Sequence, residues 1–592
     1  MMKRFFTSML GALAAIWISV ILLGILGILM IAGFVSLAMR DSNPPEITDK
    51  TILYLDLGSS VNEVNTEIDI EEILFGQQEK PLLLQPTIDA IKYAETDPRI
   101  KGIYINAEGV SGGIASLRDI NEALRNFKTN SKKWVVCYGD QITQGSYFIS
   151  SVADELYVNP QGMLDLHGLS STVTFYKGLF EKLGVEVQVL KVGTFKSAVE
   201  PYILDSISEP NRLQMKEYMG TIWEDISSSM ADARSLTLDS LNMLADSMLL
   251  TVSADSLVAL GLFDDTKYRH QVEDRLRNLI DIPADKKLPL VGVSDYYNAI
   301  KNKLEKEATD KIVVYYAVGE ISESGNEGIT SANMVPRIFE LADDEHVRGM
   351  VLRVNSPGGS AFASEQIWEA LQQFKAKGKK LYVSMGDVAA SGGYYISCGA
   401  DRIFASPVTL TGSIGIFGLV PNIKGLLNDH LGITTQSVST NANGDFPSLT
   451  EPMTPFQQAS MQRMIERGYE TFVGRCAEGR NLSVDSIKAI AEGRVWAGQT
   501  ALELGLVDQL GSLDDAVAML ASDLNLKNYE LVVLPRKKNS FLDILTSTQS
   551  SLASIVMRKV LGEEAYEIYR KSKRIDAIEP VQCRMEEVTL SL

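Results

Sequence analysis

Residues 97–154 and 344–401 align without a gap, residue 144 falling on residue 391 and every other pair keeping the same offset. Gly102 meets Gly349, and Gly112 meets Gly359. The triplet Glu122-Ala123-Leu124 meets Glu369-Ala370-Leu371, and Phe127-Lys128 meets Phe374-Lys375. Gly139-Asp140 meets Gly386-Asp387, and Tyr147, Ile149, Ser150, Ala153 and Asp154 meet Tyr394, Ile396, Ser397, Ala400 and Asp401. A chain that repeats itself this closely must fold as two copies of one unit. Short apolar runs alternate with amphipathic stretches in both copies, which is the pattern of buried strands and covering helices in an α/β fold. The strand-like Asp49–Leu55 run returns at Asp310–Tyr316, so the first unit is expected over 46–300 and the second over 301–530.

With 592 residues, 45% of them apolar, the chain can fill several cores. A net charge of −19 argues against nucleic acid as a partner. Cys137, Cys398, Cys476 and Cys583 are scattered and form no C-x-x-C pair, so neither a metal site nor a disulfide framework is expected. No cofactor motif stands out.

Phe5 to Met39 carries no charged residue and is longer than the roughly 20 residues that cross a bilayer. It is too long for the apolar region of a cleaved signal peptide, about 7–15 residues. Residues 1–45 therefore read as a retained single-pass anchor and linker. Lys3 and Arg4 precede the run and only Arg40, beside Asp41, follows it, which keeps the N-terminus in the cytoplasm and exports the body. Beyond the second unit, 531–592 reads as a tail. Apolar residues fall near helical spacing between Phe541 and Leu561, and from about Arg574 the sequence is irregular and expected to be disordered.

The two copies differ where chemistry would sit. In the second, the apolar run Leu381–Met385 leads into Gly386-Asp387-Val388-Ala389-Ala390-Ser391-Gly392-Gly393-Tyr394-Tyr395. That places Ser391 at a strand-to-helix turn, beside glycines that let another backbone approach. Asn355-Ser356-Pro357-Gly358-Gly359-Ser360 follows the run Gly349–Val354, and such a turn can aim N–H groups at an oxyanion. Taken singly, either stretch also reads as an ordinary glycine turn. In the first copy Gln144 stands at the serine position and Glu108-Gly109-Val110-Ser111 replaces Asn355-Ser356-Pro357-Gly358.

A serine hydroxyl needs a base. The chain has four histidines, His167, His270, His346 and His430, none in a motif-like setting, although triad members can lie far apart in sequence. A lysine can serve if burial or a nearby cation lowers its pKa from near 10.4 to about 7–8, at a cost on the order of 4 kcal/mol. Composition does not choose among the lysines.

Ala389–Tyr395, Val354–Gly359, Leu410-Thr411-Gly412-Ser413-Ile414-Gly415 and Phe195-Lys196-Ser197-Ala198-Val199-Glu200-Pro201 together resemble the motifs of the signal peptide peptidase A family, in its long tandem-repeat bacterial type. The likeness spans nearly the whole chain and is weakest in the tail. It implies a Clp protease/crotonase-like fold and a Ser–Lys dyad that degrades cleaved signal peptides and other hydrophobic peptides. It implies Ser391 as nucleophile, Lys196 rather than the nearby Lys191 as base, Ser413 as the hydroxyl that orients the amine, and Gly359 with the Gly392 amide as oxyanion hole. It also implies a homotetramer on the periplasmic face of the bacterial inner membrane. Two other readings fit parts of the sequence: a crotonase-like acyl-transfer enzyme, and a non-catalytic membrane scaffold.

Overall fold

The computed structural model describes residues 47–64, 81–305, 307–325, 328–535 and 581–585, with residues 11, 17–19 and 22 near the N-terminus. Apart from those few positions, the Phe5–Met39 run lies outside the described residues, as does Phe541–Leu561. Among the described residues no helix is long and apolar enough to cross a membrane.

Each copy builds a largely parallel sheet, and the strand order is the same in both. The first runs Asp265–Thr266, Glu155–Asp165, Trp134–Thr143, Ile100–Asn106, Thr51–Asp56 and Leu290–Gly292 from edge to edge. The second has Val347–Ser356 and Lys380–Ala390 at its centre, Lys311–Val318 and Glu530–Leu534 on one side, and Leu410–Gly412 and Val495–Ala497 on the other. Arg402–Ala405 and Gln509–Leu510 extend it beside Lys380–Ala390. Parallel strands are covered on both faces, so their sequences are near-continuous apolar runs. Ile52, Leu53 and Leu55 in the first sheet and Ile312, Val313 and Val351 in the second accordingly have almost no exposed surface.

The covering helices repeat as well. Ile114–Ser131 buries Ile120, Leu124 and Phe127, and Ala361–Ala376 buries their counterparts Ile367, Leu371 and Phe374. Spacings of three and four residues put each trio on one helical face.

Polar side chains lock the copies together at the ends of the central strands. The Asp387 carboxylate accepts hydrogen bonds from the Ser116 amide (2.9 Å) and hydroxyl (2.8 Å) of the first copy and from Asn355 Nδ2 (3.0 Å). A Cβ at Gly113 would fall 1.9 Å from Asp387 Cγ, so this approach needs glycine there. Close by, the buried Arg353 guanidinium holds Glu63 of the first copy at 2.6 Å and donates to Ser384 Oγ and the Met385 carbonyl. Asp119 lies 3.9 Å from the same guanidinium. Burial pushes its carboxyl up to about 7, with Arg353 pulling the other way and Glu63 and Asp387 adding to the rise.

A third sheet joins the copies. Its order is Ile329–Thr330, Ile321–Ser322, Gly358–Ser360, Val581–Arg584, Phe417–Asn422 and Glu186–Lys191. Glu186–Lys191 belongs to the first copy and pairs antiparallel with Phe417–Asn422 of the second, Lys191 opposite Phe417. Val581–Arg584 corrects the expectation of disorder from about Arg574 at those residues, the rest of that stretch apart from Met585 lying outside the described residues. Its local sequence is weak as a strand, but both of its edges find partners here, and that pairing supplies the order.

Replacing Arg353 tests the lock between copies. Arg353→Met leaves Glu63 and Asp119 buried without their cation, and the expected loss is about 3–5 kcal/mol of stability. Urea unfolding of the variant checks it.

Candidate active site

Ser391 follows the Lys380–Ala390 strand directly and caps the Gly392–Ser397 helix. Its backbone lies at φ 56° and ψ −115°, in territory that residues with a Cβ seldom enter. Hydrogen bonds on both sides hold it there. Its amide donates to the Gly412 carbonyl and its carbonyl accepts from the Tyr395 amide, each at 2.8 Å. Small neighbours make the turn possible: a Cβ at Gly393 would sit 2.7 Å from the Ser356 carbonyl oxygen. The outcome is a hydroxyl fixed at the end of the central strand.

Lys196 comes from the other copy. After the Glu186–Lys191 strand the chain turns at Gly193, and Phe195 donates its amide to the Glu492 carbonyl at 2.9 Å. Gly493, at φ 80°, backs so closely onto Lys196 that a Cβ there would lie 2.7 Å from the Lys196 Cα. Buried Gln214 ties the two chain segments. Its Nε2 donates to the Phe195 carbonyl (3.2 Å) and Ser197 Oγ (3.3 Å), and its Oε1 accepts from the Val495 amide (3.1 Å). So fixed, the lysine reaches across the interface. Nζ lies 2.7 Å from Ser391 Oγ, 3.1 Å from the Ser413 carbonyl oxygen and 3.1 Å from Ser413 Oγ.

Burial pulls the Lys196 pKa down from 10.5 to about 7, with the nearby Cys583 thiol acting weakly in the other direction. At 1.36 kcal/mol per pH unit, this favours the neutral amine by about 5 kcal/mol relative to water. Neutral nitrogen has two N–H donors and one lone pair. The two Ser413 oxygens can take the donors, which leaves the lone pair for the Ser391 hydroxyl. Ser413 is itself held at φ 50° by a hydrogen bond that its amide donates to the Arg494 carbonyl at 2.7 Å.

The glycine turn sits opposite. Gly358 and Gly359 have φ of 100° and 155°, and a Cβ on Gly359 would meet the Ile321 carbonyl oxygen at 2.0 Å. A Cβ on Gly358 would come within 2.6 Å of the Gly392 amide nitrogen. All five residues singled out in the sequence, Ser391, Lys196, Ser413, Gly359 and Gly392, thus converge on one spot. The four histidines are all solvent-exposed, and Lys191 remains half-buried on its strand while Lys196 reaches the serine. One neighbour had no signal in the sequence: Cys583, on the strand paired with Gly358–Ser360.

At the matching spot in the first copy an amide side chain stands in place of the hydroxyl. Gln144 Oε1 accepts from the amides of His167 (3.0 Å) and Gly168 (2.8 Å), and Nε2 donates to the Gly168 carbonyl (3.1 Å). The side chain therefore staples the loop that would otherwise border a nucleophile.

Two Clp protease-like α/β units that bring a buried amine against a strained serine define a serine hydrolase. Comparison with known proteins agrees. The profile of peptidase family S49 matches residues 127–282 and 373–527, one stretch in each copy, and that of Clp protease matches 317–409. "Protease 4" of Salmonella typhi is 37% identical over 458 residues, 75% of this chain and 72% of the relative. "Protease 4" of Haemophilus influenzae is 35% identical over 438 residues, 72% and 71% of the two chains. The "Putative signal peptide peptidase SppA" of Enterococcus faecium is 34% identical over 236 residues, 39% of this chain and 68% of the relative. The chain belongs to peptidase family S49, a family of serine proteases.

Gln144→Ala strands the two amides it now satisfies. The unfolding midpoint should fall by the equivalent of about 1–3 kcal/mol, while peptide hydrolysis per folded molecule stays at the wild-type rate. Denaturation and activity assays on the same preparation separate the two effects.

Proposed function

We propose that this protein is a membrane-anchored Ser–Lys endopeptidase that degrades cleaved signal peptides and other hydrophobic peptides. The observation that carries the reading is the 2.7 Å approach of a buried Lys196 amine to Ser391 Oγ. As the hydroxyl attacks the scissile carbonyl, its proton passes to Nζ. Charge collects on the carbonyl oxygen, for which the Gly359 and Gly392 amides are the proposed donors. The new ammonium then returns the proton to the leaving amine, and water, deprotonated by the same lysine, releases the acyl group. Ser413 keeps the amine aimed throughout. Apolar surroundings suit both the neutral base and a hydrophobic peptide. The E. faecium relative's name supports signal peptides as substrates.

The N-terminal run supports a single-pass anchor with the N-terminus cytoplasmic and the body periplasmic, and the family resemblance supports a homotetramer. Protease added to spheroplasts should digest the body. Full protection until lysis would reverse the orientation.

Labelling of Ser391 by a fluorophosphonate tests the nucleophile. Ser391→Ala should abolish both labelling and hydrolysis. Lys196→Ala should remove most of the rate, and Lys196→Arg nearly as much, because a guanidinium stays protonated. The double mutant Lys196→Ala/Ser391→Ala should be no worse than either single change, since the pair acts as a unit. A hydrolytic Lys196→Ala enzyme that loses activity on substitution of one histidine would restore a triad.

The pH profile has a definite sign. Below about 7 Lys196 holds its proton and cannot act as base, so the rate should rise with pH through a midpoint near 7 rather than near 10.5. A profile still climbing at pH 10 would refute a buried amine as the base.

A further inference from the structure

Lys196 belongs to the first copy and Ser413 to the second, and one residue touches the supports of both. Arg494 directly precedes the Val495–Ala497 strand. Its carbonyl accepts the Ser413 amide at 2.7 Å and so holds the turn that brings Ser413 to the lysine. Its guanidinium carbon lies 4.7 Å from the centre of the Phe195 ring and 4.2 Å from that of the Trp496 ring. Phe195 is the residue just before Lys196. Trp496 pairs with Thr411, on the strand that leads into Ser413. One flat cation thus packs on a ring from each copy, and each ring sits beside a group that bonds to the amine or carries it.

Packing, more than hydrogen bonding, fixes that guanidinium. Nη2 donates to Glu217 of the first copy, but the carboxylate is exposed and the pair adds little. Nε is buried and has no hydrogen-bond partner among the described residues. What remains is contact with two aromatic faces, for which a planar, weakly hydrated cation is suited and a compact ammonium is not. The titratable groups around the joint are Glu217, Glu492, whose carboxylate accepts the Thr194 amide at 3.3 Å, and the buried Cys583 thiol beside the amine. Among the described residues neither carboxylate bonds to Lys196.

We propose that Arg494 is a positioning residue for the Ser391–Lys196 pair: its guanidinium, packed on Phe195 and Trp496, presses the lysine segment of the first copy against the Ser413 turn of the second, and so keeps the amine in register and out of water. The proposal rests on the Ser–Lys reading above. It asks for a planar cation at residue 494, not merely a positive charge.

The test uses the full chain and a hydrophobic peptide substrate. In Arg494→Met, kcat should fall roughly 30-fold or more, since a small misplacement of a base is costly, with KM within about twofold. The midpoint of its pH profile should rise by about one unit from near 7 as water reaches the amine. Arg494→Lys should recover less than about threefold of the lost rate, because an ammonium cannot lie flat on two rings. Glu217→Gln keeps the cation and both rings and should stay within about threefold of wild type. A cavity of about 250 Å³ borders Glu217 and Trp496 and gives a small ion access to both. Guanidinium added below denaturing concentration should therefore raise the Arg494→Ala rate about fivefold, and methylammonium should not. Should Arg494→Met fail to fold, Phe195→Leu removes the contact from the other side and should raise the midpoint alike. A wild-type kcat and midpoint in Arg494→Met would overturn the proposal. So would a loss that is equal at every pH, follows the folded fraction and resists guanidinium. A Lys196→Ala enzyme with the wild-type rate would instead overturn the dyad.

Discussion

An amine can serve as a base near neutral pH only where water does not reach it, and that demand shapes the surroundings of Lys196. Two glycines, Gly493 and Gly415, let backbone close over its stem where larger residues would hold it off. Gln214 satisfies the amide and carbonyl groups stranded by that close packing. Neutral oxygens of Ser413, rather than carboxylates, receive its N–H groups. An acidic neighbour would restore the charged form and undo the effect of burial. The left-handed turns at Ser391 and Ser413 belong to the same arrangement. Each strains the backbone locally to point a hydroxyl at one nitrogen.

Duplication supplied the framework, and divergence divided the work. Both copies keep the same sheet order and the same helix faces, so the core of the unit depends little on its chemistry. The nucleophile position shows the split. Ser391 faces an interface, whereas Gln144 turns its amide into a staple for the 167–168 loop. In exchange the first copy sends out Glu186–Lys191 and the lysine behind it. Ser116 and Glu63 then hold it in register through Asp387 and Arg353. The Lys196–Ser391 approach and the inter-copy polar contacts thus depend on one alignment.

Much of this was legible in the residues. The ungapped repeat announced two α/β units, and the Gly-Gly turns at 358–359 and 392–393 marked strand ends made for close backbone approach. Family motifs then named Lys196, which chemistry alone could not select, because nothing local distinguishes a lysine that will be buried by residues 493–495 from one that stays in water. The third sheet was not legible. Its strands are short, some of two or three residues, and the pairings that join Gly358–Ser360, Val581–Arg584, Phe417–Asn422 and Glu186–Lys191 reach across long stretches of chain. Val581–Arg584 shows this best: it lacks any periodic pattern, and only the edges of Gly358–Ser360 and Phe417–Gly418 give it a conformation. Glu63, Asp119 and Asp387 were equally silent as a group, since burial around Arg353 arises only when the copies dock.

The lysine and the serine stand 195 residues apart, and the order of that separation has a consequence for biosynthesis. A ribosome completes Lys196 first, when the Glu186–Lys191 strand before it still lacks its partner Phe417–Asn422. Ser391 follows, and residues 493–495, which pack against the lysine and its neighbours, come later still. A nascent chain therefore carries Lys196 and Ser391 before the packing that joins them exists. Only completion of the second unit brings the amine and the hydroxyl together.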